Sequence, residues 1–306
     1  MINSKFFVWI QLVSCLGILL FGSNGSSFAD LPRIDKSFFA ADYQKHVAAL
    51  IGTDGKVSWE IKVDNIHDAQ QLPKGGWLIQ TSFSNVVELD SKGKEVWRYE
   101  PKVSNRSKVE IHSFRRLENG LTMIAESGLG RIIEVDRDKS IIHEFDLKLE
   151  HPDAHRDTRL VRPTPKGTYL VAHEGDLCIR EYQRDGTVIW EHPLGMKVYS
   201  ATRLENGNTL VGTGDGHSVL EIAPTHETVW SIGEQDLKDN RLAWVTMTER
   251  LPNGNTWIVN CHAGTANPQI LEVTPTKEIV RAFQDYEKFG NALPVAVPML
   301  QMTPQN

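Results

Sequence analysis

Residues His67 to Glu100 read HDAQQLPKGGWLIQTSFSNVVELDSKGKEVWRYE, and this stretch contains one full copy of a layout that returns along the chain. A short apolar run ends in a glycine turn, and an alternating run follows it. A third run places a Glu between apolar residues, and a second glycine turn leads to a Trp. Short runs of this kind, separated by glycine turns, are typical of antiparallel strands. The stretch therefore predicts a four-stranded meander.

Two positions of the repeat can be counted along the chain. The turn before the second run contains a glycine five times, at Gly75, Gly120, Gly167, Gly207 and Gly254. The third run contains a glutamate five times, at Glu88, Glu134, Glu181, Glu221 and Glu272. Successive glutamates are 40 to 51 residues apart, and one propeller blade takes roughly 40 to 50 residues. The sequence therefore contains five complete blade-like units.

A sixth unit is divided between the two ends of the chain. Residues Val47 to Ile61 resemble the third and fourth strands of another copy, with Trp59 standing where Trp97 stands. The tail from Asn291 to Met302 could supply the missing strands. Pairing the chain ends would remove the exposed sheet edges. We therefore predict an all-β, six-bladed propeller of four-stranded antiparallel sheets, whose N- and C-terminal segments share a blade.

The first 29 residues have the features of a secretory signal. Lys5 is the only charge before Asp30, an apolar region runs from Phe6 to Phe21, and small residues lie near Ala29. Residues 30–306 then form a single propeller domain. We expect a periplasmic or secreted protein without a stable membrane span after cleavage. A lipoprotein site at Cys15 is the second interpretation, because the apolar region continues beyond it.

Charge and cysteine content argue against two classes of protein. After removal of the signal, 32 basic and 39 acidic residues give a net charge of −7, without a marked basic cluster. A nucleic-acid partner is therefore not expected. Cys178 and Cys261 fall in units two blades apart, so a disulfide between them is not expected either.

Two regularly spaced residue types are predicted to hold the blades together. Four tryptophans end the repeat units, at Trp59, Trp97, Trp190 and Trp230, and each can bury a large apolar area between sheets. The repeated glutamates are predicted to be structural, either through a hydrogen bond within each blade or as partners of the arginines that recur at Arg116, Arg203 and Arg250. A polar residue that recurs at the same position in each blade is expected to have a structural role in each of them, such as a local hydrogen bond. Chemistry is therefore expected where the copies differ.

The copies differ at one rim of the ring. Consecutive strands run in opposite directions, so the first strand begins where the second one ends. The first strands begin at His67, His112, Arg159, Tyr199 and Thr246. The second strands end at Thr81-Ser82, Glu126-Ser127, His173-Glu174, Thr213-Gly214 and Cys261-His262, with Asn260 just before the last pair. If the first strand is innermost, these residues surround the mouth of the central channel.

This rim is the predicted functional site. The candidate catalytic groups are His67, His112, His173 and His262, because an imidazole can act as nucleophile or general base. The candidate ligand-binding residues are Arg159, Tyr199, Asn260, Glu126 and Glu174. Histidine and arginine together can bind sulfate, phosphate or carboxylate groups through charge-assisted hydrogen bonds. Each His taken alone is also compatible with a structural role.

A second candidate is the connection HPDAHRDT, which enters the third complete unit. His151, Asp153, His155 and Asp157 alternate at a spacing of two, so an extended segment would place all four on one side. Such a set could bind a divalent metal. A solvated loop on the same rim is the alternative interpretation.

Two families resemble the repeat. Segments DGKVSW (54–59), GKEVW (93–97) and DGTVIW (185–190) resemble the repeat of pyrroloquinoline-quinone-type propellers. Segments HDAQQLPKG (67–75), RLENGNT (203–209) and RLPNGNT (250–256) resemble the blade signature of bacterial arylsulfotransferase-like propellers. The first family implies larger, eight-bladed rings, so the quinone cofactor itself is not expected here. The second implies sulfuryl transfer through a channel His, with Arg159 holding the sulfate.

Three hypotheses about function follow. The protein is an exported propeller that binds a small polar or anionic molecule, a glycan or a protein at its His-rich mouth, or it is a transferase of the arylsulfotransferase type. The third hypothesis is a metal-dependent hydrolase or lactonase whose channel metal uses Glu126, His173 or Asn260.

Overall fold

Six four-stranded antiparallel sheets form the protein. The structure is a computed structural model that describes residues 31–102 and 109–299. Each sheet is one blade, and the six blades make the closed ring that the repeat predicts. The expected signal, including Cys15, lies outside the described residues. In residues 31–102 and 109–299, no helix has the length and apolar character needed to cross a membrane.

The strands are numbered in chain order. Blade 1 consists of β1 (Phe38–Asp42), β2 (Val47–Ile51), β3 (Val57–Lys62) and β24 (Val295–Pro298). Blade 2 consists of β4 (Ala69–Gln71), β5 (Trp77–Ile79), β6 (Val86–Leu89) and β7 (Glu95–Tyr99). Blade 3 consists of β8 (Ile111–Arg116), β9 (Thr122–Glu126), β10 (Arg131–Val135) and β11 (Ile141–Asp146). A single-turn 3-10 helix, Ser127–Leu129, follows β9.

Blades 4 to 6 follow the same order. Blade 4 consists of β12 (Val161–Pro163), β13 (Tyr169–His173), β14 (Cys178–Tyr182) and β15 (Val188–Pro193). Blade 5 consists of β16 (Ser200–Arg203), β17 (Thr209–Gly212), β18 (Val219–Ile222) and β19 (Thr228–Ile232). Blade 6 consists of β20 (Trp244–Arg250), β21 (Thr256–Cys261), β22 (Ile270–Val273) and β23 (Ile279–Phe283).

The first strand of each blade lines the central channel, as predicted. Strands β4, β8, β12, β16, β20 and β24 contact one another in ring order and close the circle. The second and third strands are almost entirely buried, because blades pack on both of their faces. The outermost strands alternate between exposed and partly buried residues.

Blade 1 closes the ring with strands from both chain ends. Strand β24 pairs with β1 in antiparallel register, with Phe38 opposite Pro298 and Ala41 opposite Val295. The sharing of a blade is confirmed, but its division differs from the prediction. The C-terminal segment supplies one strand and the N-terminal segment supplies three. Strand β1 could not be recognised from alternating polar and apolar residues, because all five of its residues are buried.

A repeated contact joins neighbouring blades. The predicted pairs form between Glu88 and Arg116 (2.7 Å), Glu181 and Arg203 (2.6 Å), and Glu221 and Arg250 (2.6 Å). In each pair the Glu belongs to the third strand of one blade and the Arg to the first strand of the next. The structural interpretation of these glutamates is therefore confirmed.

The tryptophans complete this contact. Trp97, Trp190 and Trp230 stand directly opposite the three glutamates in the sheet register, at a β-bulge. The guanidinium carbon of the paired Arg lies 5.5, 5.0 and 4.9 Å from the respective indole ring. We call this arrangement the Glu–Arg–Trp clamp. The indole N–H groups of Trp97 and Trp230 donate to backbone carbonyls, whereas that of Trp190 makes no hydrogen bond within the described residues.

The clamp generates a stability prediction. Glu181→Gln removes the charge that compensates Arg203, which then remains stacked on Trp190 without its partner. We expect the free energy of unfolding to fall by roughly 1 to 3 kcal/mol, the range for a hydrogen bond to a charged group. Urea unfolding followed by tryptophan fluorescence measures this loss. The matched control is Lys56→Ala, which breaks the exposed pair with Asp54 and should cost less than about 0.5 kcal/mol. Equal losses in the two variants would contradict the clamp.

Candidate functional site

Three imidazoles converge at the channel mouth. We call His67, His112 and His155 the imidazole cluster. Their ring centroids are 4.6 Å apart for His67 and His112, 5.1 Å for His112 and His155, and 5.6 Å for His67 and His155. One potential ligand nitrogen from each ring lies within 4.8 Å of the other two. The structure thus combines two members of the predicted rim set with one member of the predicted metal set.

Local structure positions each ring. His67 lies two residues before the blade 2 inner strand, and its backbone N–H donates to the Gln80 side chain (2.7 Å). His112 occupies a β-bulge in β8. His155 lies in a turn where the carboxylate of Asp153 accepts its backbone N–H (2.9 Å). The three rings therefore come from two blades and from the connection that enters a third.

The Nδ1 atoms of His67 and His112 are occupied. Nδ1 of His67 lies 2.6 Å from the Tyr199 hydroxyl. Nδ1 of His112 donates to the carbonyl oxygen of Thr158 (2.8 Å). Nε2 of His112 is buried and makes no hydrogen bond of good geometry within the described residues, although the Glu110 carboxylate lies 3.4 Å from it. One nitrogen of each ring is therefore held from outside, and the other nitrogen is left for the cluster.

His155 follows the same pattern through a carboxylate. Its Nδ1 lies 2.8 Å from Oε2 of Glu110, and the same oxygen is 3.4 Å from Nε2 of His112. His155 is the most exposed of the three rings, with 42% of its side-chain surface accessible. Glu110 thus orients one imidazole, and the cluster opens to solvent on the side of His155.

The protonation of the cluster follows from burial. Burial, together with the neighbouring His112 and Arg159, lowers the pKa of His67 well below its ordinary value, and burial also lowers the pKa of His112. His112 and His155 lower the pKa of Glu110 to about 2. At neutral pH, two neutral buried imidazoles therefore lie beside an ionised carboxylate.

Arg159 lies next to the cluster. Its Nε donates to the carboxylate of Glu174, while its Nη1 is buried without a partner. Its guanidinium carbon lies 5.4 Å from the centre of the Tyr199 ring and 5.9 Å from that of Trp244. Lys197 also contacts Glu174, at 2.9 Å. The carboxylate of Glu174 is shared by two cations, so a donor of Arg159 remains free.

Aromatic rings continue the wall of the mouth. Phe83 stacks on His67 with centroids 5.0 Å apart. Trp244 stacks on His262 with centroids 5.4 Å apart. The Tyr43 hydroxyl lies 2.8 Å from Nε2 of His262. His262 therefore belongs to the wall of the mouth and not to the imidazole cluster.

Other predicted site residues have internal partners. His173 is fully buried, with Nε2 2.9 Å from the Tyr182 hydroxyl and Nδ1 3.2 Å from the Asp157 carbonyl. Glu126 accepts hydrogen bonds from Tyr99 and Arg131. Asn260 bonds to the backbone of three residues, Ala243, Arg241 and Pro268. These side chains hold loops and blades in place.

The HPDAHRDT connection is a turn, and the premise of an extended segment is wrong. His151 is largely exposed and contacts Asp176 at 3.2 Å. Asp153 caps the turn, and Asp157 accepts a hydrogen bond from Ser127 (2.8 Å). In residues 31–102 and 109–299, the one group of three or more metal-type ligands contains His155 alone of this set. The turn separates the four side chains.

Sequence reasoning missed three residues of the mouth, Phe83, Glu110 and Trp244. Glu110 lies two positions before His112, and that spacing places side chains on one side of a strand, so a signal for it existed. Phe83 follows a strand in an irregular turn, and Trp244 begins an inner strand. Nothing in the repeat pattern distinguishes these two from structural aromatics.

Comparisons with known proteins support the fold. No family model matches the chain, and no curated protein matches it. A solved protein of unknown function from Bacteroides caccae is 21% identical with a TM-score of 0.77, covering 87% of this chain and 99% of its own. A streptogramin B lyase structure is 12% identical with a TM-score of 0.60, covering 88% and 96%. Virginiamycin B lyase from Staphylococcus aureus is 12% identical with a TM-score of 0.57, covering 89% and 84%. At these identities the likeness shows the β-propeller fold alone.

Burial of His173 predicts a pH dependence of stability. Burial, first of all, lowers its pKa to about 4 in the folded protein. Its contribution to stability is therefore complete above the unfolded value of about 6.5 and is lost as the pH falls toward 4. Between pH 7 and pH 5 we expect this residue to account for a loss of roughly 2 kcal/mol. Urea unfolding of the wild type and of His173→Gln at both pH values tests this, and identical pH slopes would contradict it.

Proposed function

We propose that this protein is an exported propeller that binds a small anionic molecule at its channel mouth, with a divalent metal ion held by the imidazole cluster. The proposal of export is supported by residues 1–29. The main observation in support of the metal site is the convergence of three imidazoles. The Nδ1 atom of each one contacts a group outside the three rings. Metal-binding histidines have this arrangement, because the outer hydrogen bond fixes the tautomer and the ring orientation.

The outer partners match those of metal sites. A carboxylate, a backbone carbonyl and a tyrosine hydroxyl hold the three rings, through Glu110, Thr158 and Tyr199. Three protein ligands leave further coordination positions for water or substrate, as in catalytic zinc sites. Imidazole ligands suit zinc, copper, iron and nickel. The buried Nε2 of His112 would gain the partner that the protein does not provide.

The anion preference comes from Arg159. Tyr199 links it to the cluster, since the hydroxyl contacts His67 and the ring lies beneath the guanidinium. The free Nη1 of Arg159 is a buried, charged donor, and such a group recovers its desolvation cost when an anionic oxygen accepts its hydrogen bond. A bound metal would polarise a carbonyl or phosphoryl group, or activate a water molecule. Metal-assisted cleavage of a small carboxylate or phosphate compound is the chemistry that this arrangement supports.

Metal binding is directly testable. After chelation and dialysis, the purified protein should take up about one Zn²⁺ or Co²⁺ per chain, with visible Co²⁺ absorption from imidazole ligands. Because each ring supplies one ligand, His112→Ala and His155→Ala should each weaken binding by at least about ten-fold. Titration followed by elemental analysis measures the stoichiometry.

The same connection provides the matched control. His151 lies four residues before His155 and is exposed outside the cluster, so His151→Ala should bind Co²⁺ like the wild type. Absence of stoichiometric uptake of Zn²⁺, Co²⁺, Ni²⁺ and Fe²⁺ would contradict the proposal. So would equal loss of binding in the His151 and His155 variants.

Sulfuryl transfer is the second candidate function. It is favoured by one observation, the buried and unpartnered nitrogens of His112 and Arg159 at one mouth. With an aryl sulfate and a phenol acceptor, transfer predicts release of the donor phenol that survives chelation and disappears in His112→Ala. Release that requires added metal supports the first proposal, and His173→Gln is the control for loss of a buried His elsewhere.

A further inference from the structure

A second chamber lies at the opposite end of the channel. Its volume is about 370 Å³. The inner strands of all six blades line it, with residues that include Gln71, Arg115, Arg162, Thr202, Glu249 and Val297. We call it the distal chamber. These residues lie toward the ends of the inner strands, whereas the imidazole cluster lies where inner strands begin. No member of the cluster lines the chamber.

Two guanidinium groups that line this chamber share one carboxylate behind its wall. The buried carboxylate of Asp68 accepts from Arg115 (2.8 Å), Arg162 (2.9 Å) and the Ser113 hydroxyl (2.6 Å). One carboxylate is therefore paired with two guanidinium groups. The pair retains one positive charge without compensation.

The guanidinium groups also retain free donors. Arg115 uses Nη1 for Asp68 and for the carbonyl of Phe114, and its Nε and Nη2 make no hydrogen bond in the described part of the chain. Burial, followed by the neighbouring Arg162, lowers the pKa of Arg115 to about 10. A nearby anion would accept hydrogen bonds from the unused donors of Arg115. It would also compensate the positive charge that Asp68 leaves unbalanced.

The protonation state of Glu249 determines the net charge of the distal chamber. It lines the chamber from β20, and its carboxylate makes neither a hydrogen bond nor an ion pair with any residue in the described ranges. Burial raises the pKa of Glu249 to about 7, although Arg115, Arg162 and Lys36 act in the opposite direction. The strands β16 and β24 contribute no titratable residue to the lining. Below pH 7 the chamber is therefore cationic, and above pH 7 it approaches neutrality.

The remaining lining is apolar. Leu160, Met247, Trp257, Ala296 and Pro298 form much of the wall. The hydroxyls of Ser200 and Thr248, which also line the chamber, are buried and have no hydrogen-bond partner. A ligand that fits these surfaces combines an apolar body with an anionic group and an acceptor for a hydroxyl.

We propose that the distal chamber binds a small organic carboxylate, with its anionic group at Arg115 and Arg162 and its apolar body against Met247 and Val297. This site is separate from the imidazole cluster and does not depend on the function proposed for that cluster. Ionised Glu249 repels the carboxylate, so binding strengthens as the pH falls through about 7.

Benzoate and its neutral isostere benzamide are the probes. In calorimetric titrations at pH 6 we expect benzoate to bind the wild-type protein at least about ten-fold more tightly than benzamide, since a charge-assisted pair is lost in the amide. From pH 6 to pH 8 the affinity for benzoate should fall about five- to ten-fold, because Glu249 becomes ionised. Glu249→Gln should bind benzoate equally at both pH values, and as tightly as the wild type at pH 6.

Two further variants locate the binding. Thr202→Phe fills the chamber without a change of charge and should abolish benzoate binding. His151→Ala, which is exposed and lies outside both sites, should leave it unchanged. Arg115→Gln should weaken it at least about ten-fold, and the Glu249 and Thr202 variants keep the test decisive if Arg115→Gln does not fold. Equal affinities for benzoate and benzamide, or binding that survives in Thr202→Phe, would overturn the proposal.

Discussion

The Glu–Arg–Trp clamp is the contact on which the ring depends. It lies where the third and fourth strands of a blade shift register, and this shift occurs in all six blades, at Glu88 and at the corresponding positions. In blades 2, 4 and 5 the bulge places a carboxylate opposite an indole, and the first strand of the next blade brings an arginine to both. An ion pair in contact with an aromatic face is protected from water on that side. Blades that lack a disulfide between them are thereby held at fixed angles, since Cys178 and Cys261 are both free and buried.

The two ends of the channel differ because the clamp occupies one of them. The ends of the inner strands contain the repeated arginines, whose hydrogen-bond capacity is used by neighbouring blades. The residues at the beginnings of the same strands are not required for this repeated contact between blades, so each blade can place a different side chain there. His67, Arg159 and Tyr199 occupy equivalent positions and differ in chemistry. Regularity at one end leaves the other end free to vary, and the candidate site lies where the repeats diverge.

The sequence predicted the rim but not its grouping. Strand direction placed His67, His112, His173 and His262 at one end, and all four lie at or next to the predicted strand ends. A strand position does not fix which way a ring points, however. His173 turns into the blade toward Tyr182, and His262 joins Trp244 and Tyr43. The third ring of the cluster comes instead from His155, because Asp153 closes the connection into a turn.

Repeat spacing, glycine turns and the recurring Glu, Arg and Trp determined the architecture, since the blade layout recurs along the chain and the Glu–Arg–Trp clamp recurs in three of the blades. Tertiary structure alone decided the contents of the channel. Arg115, Arg162 and Glu249 lie up to 134 positions apart in the sequence, and they line one chamber because six inner strands converge on one axis. Such a convergence depends on side-chain directions and on distances across the ring. Side-chain directions and distances across the ring are set only when the ring closes, so they cannot be predicted from local sequence patterns.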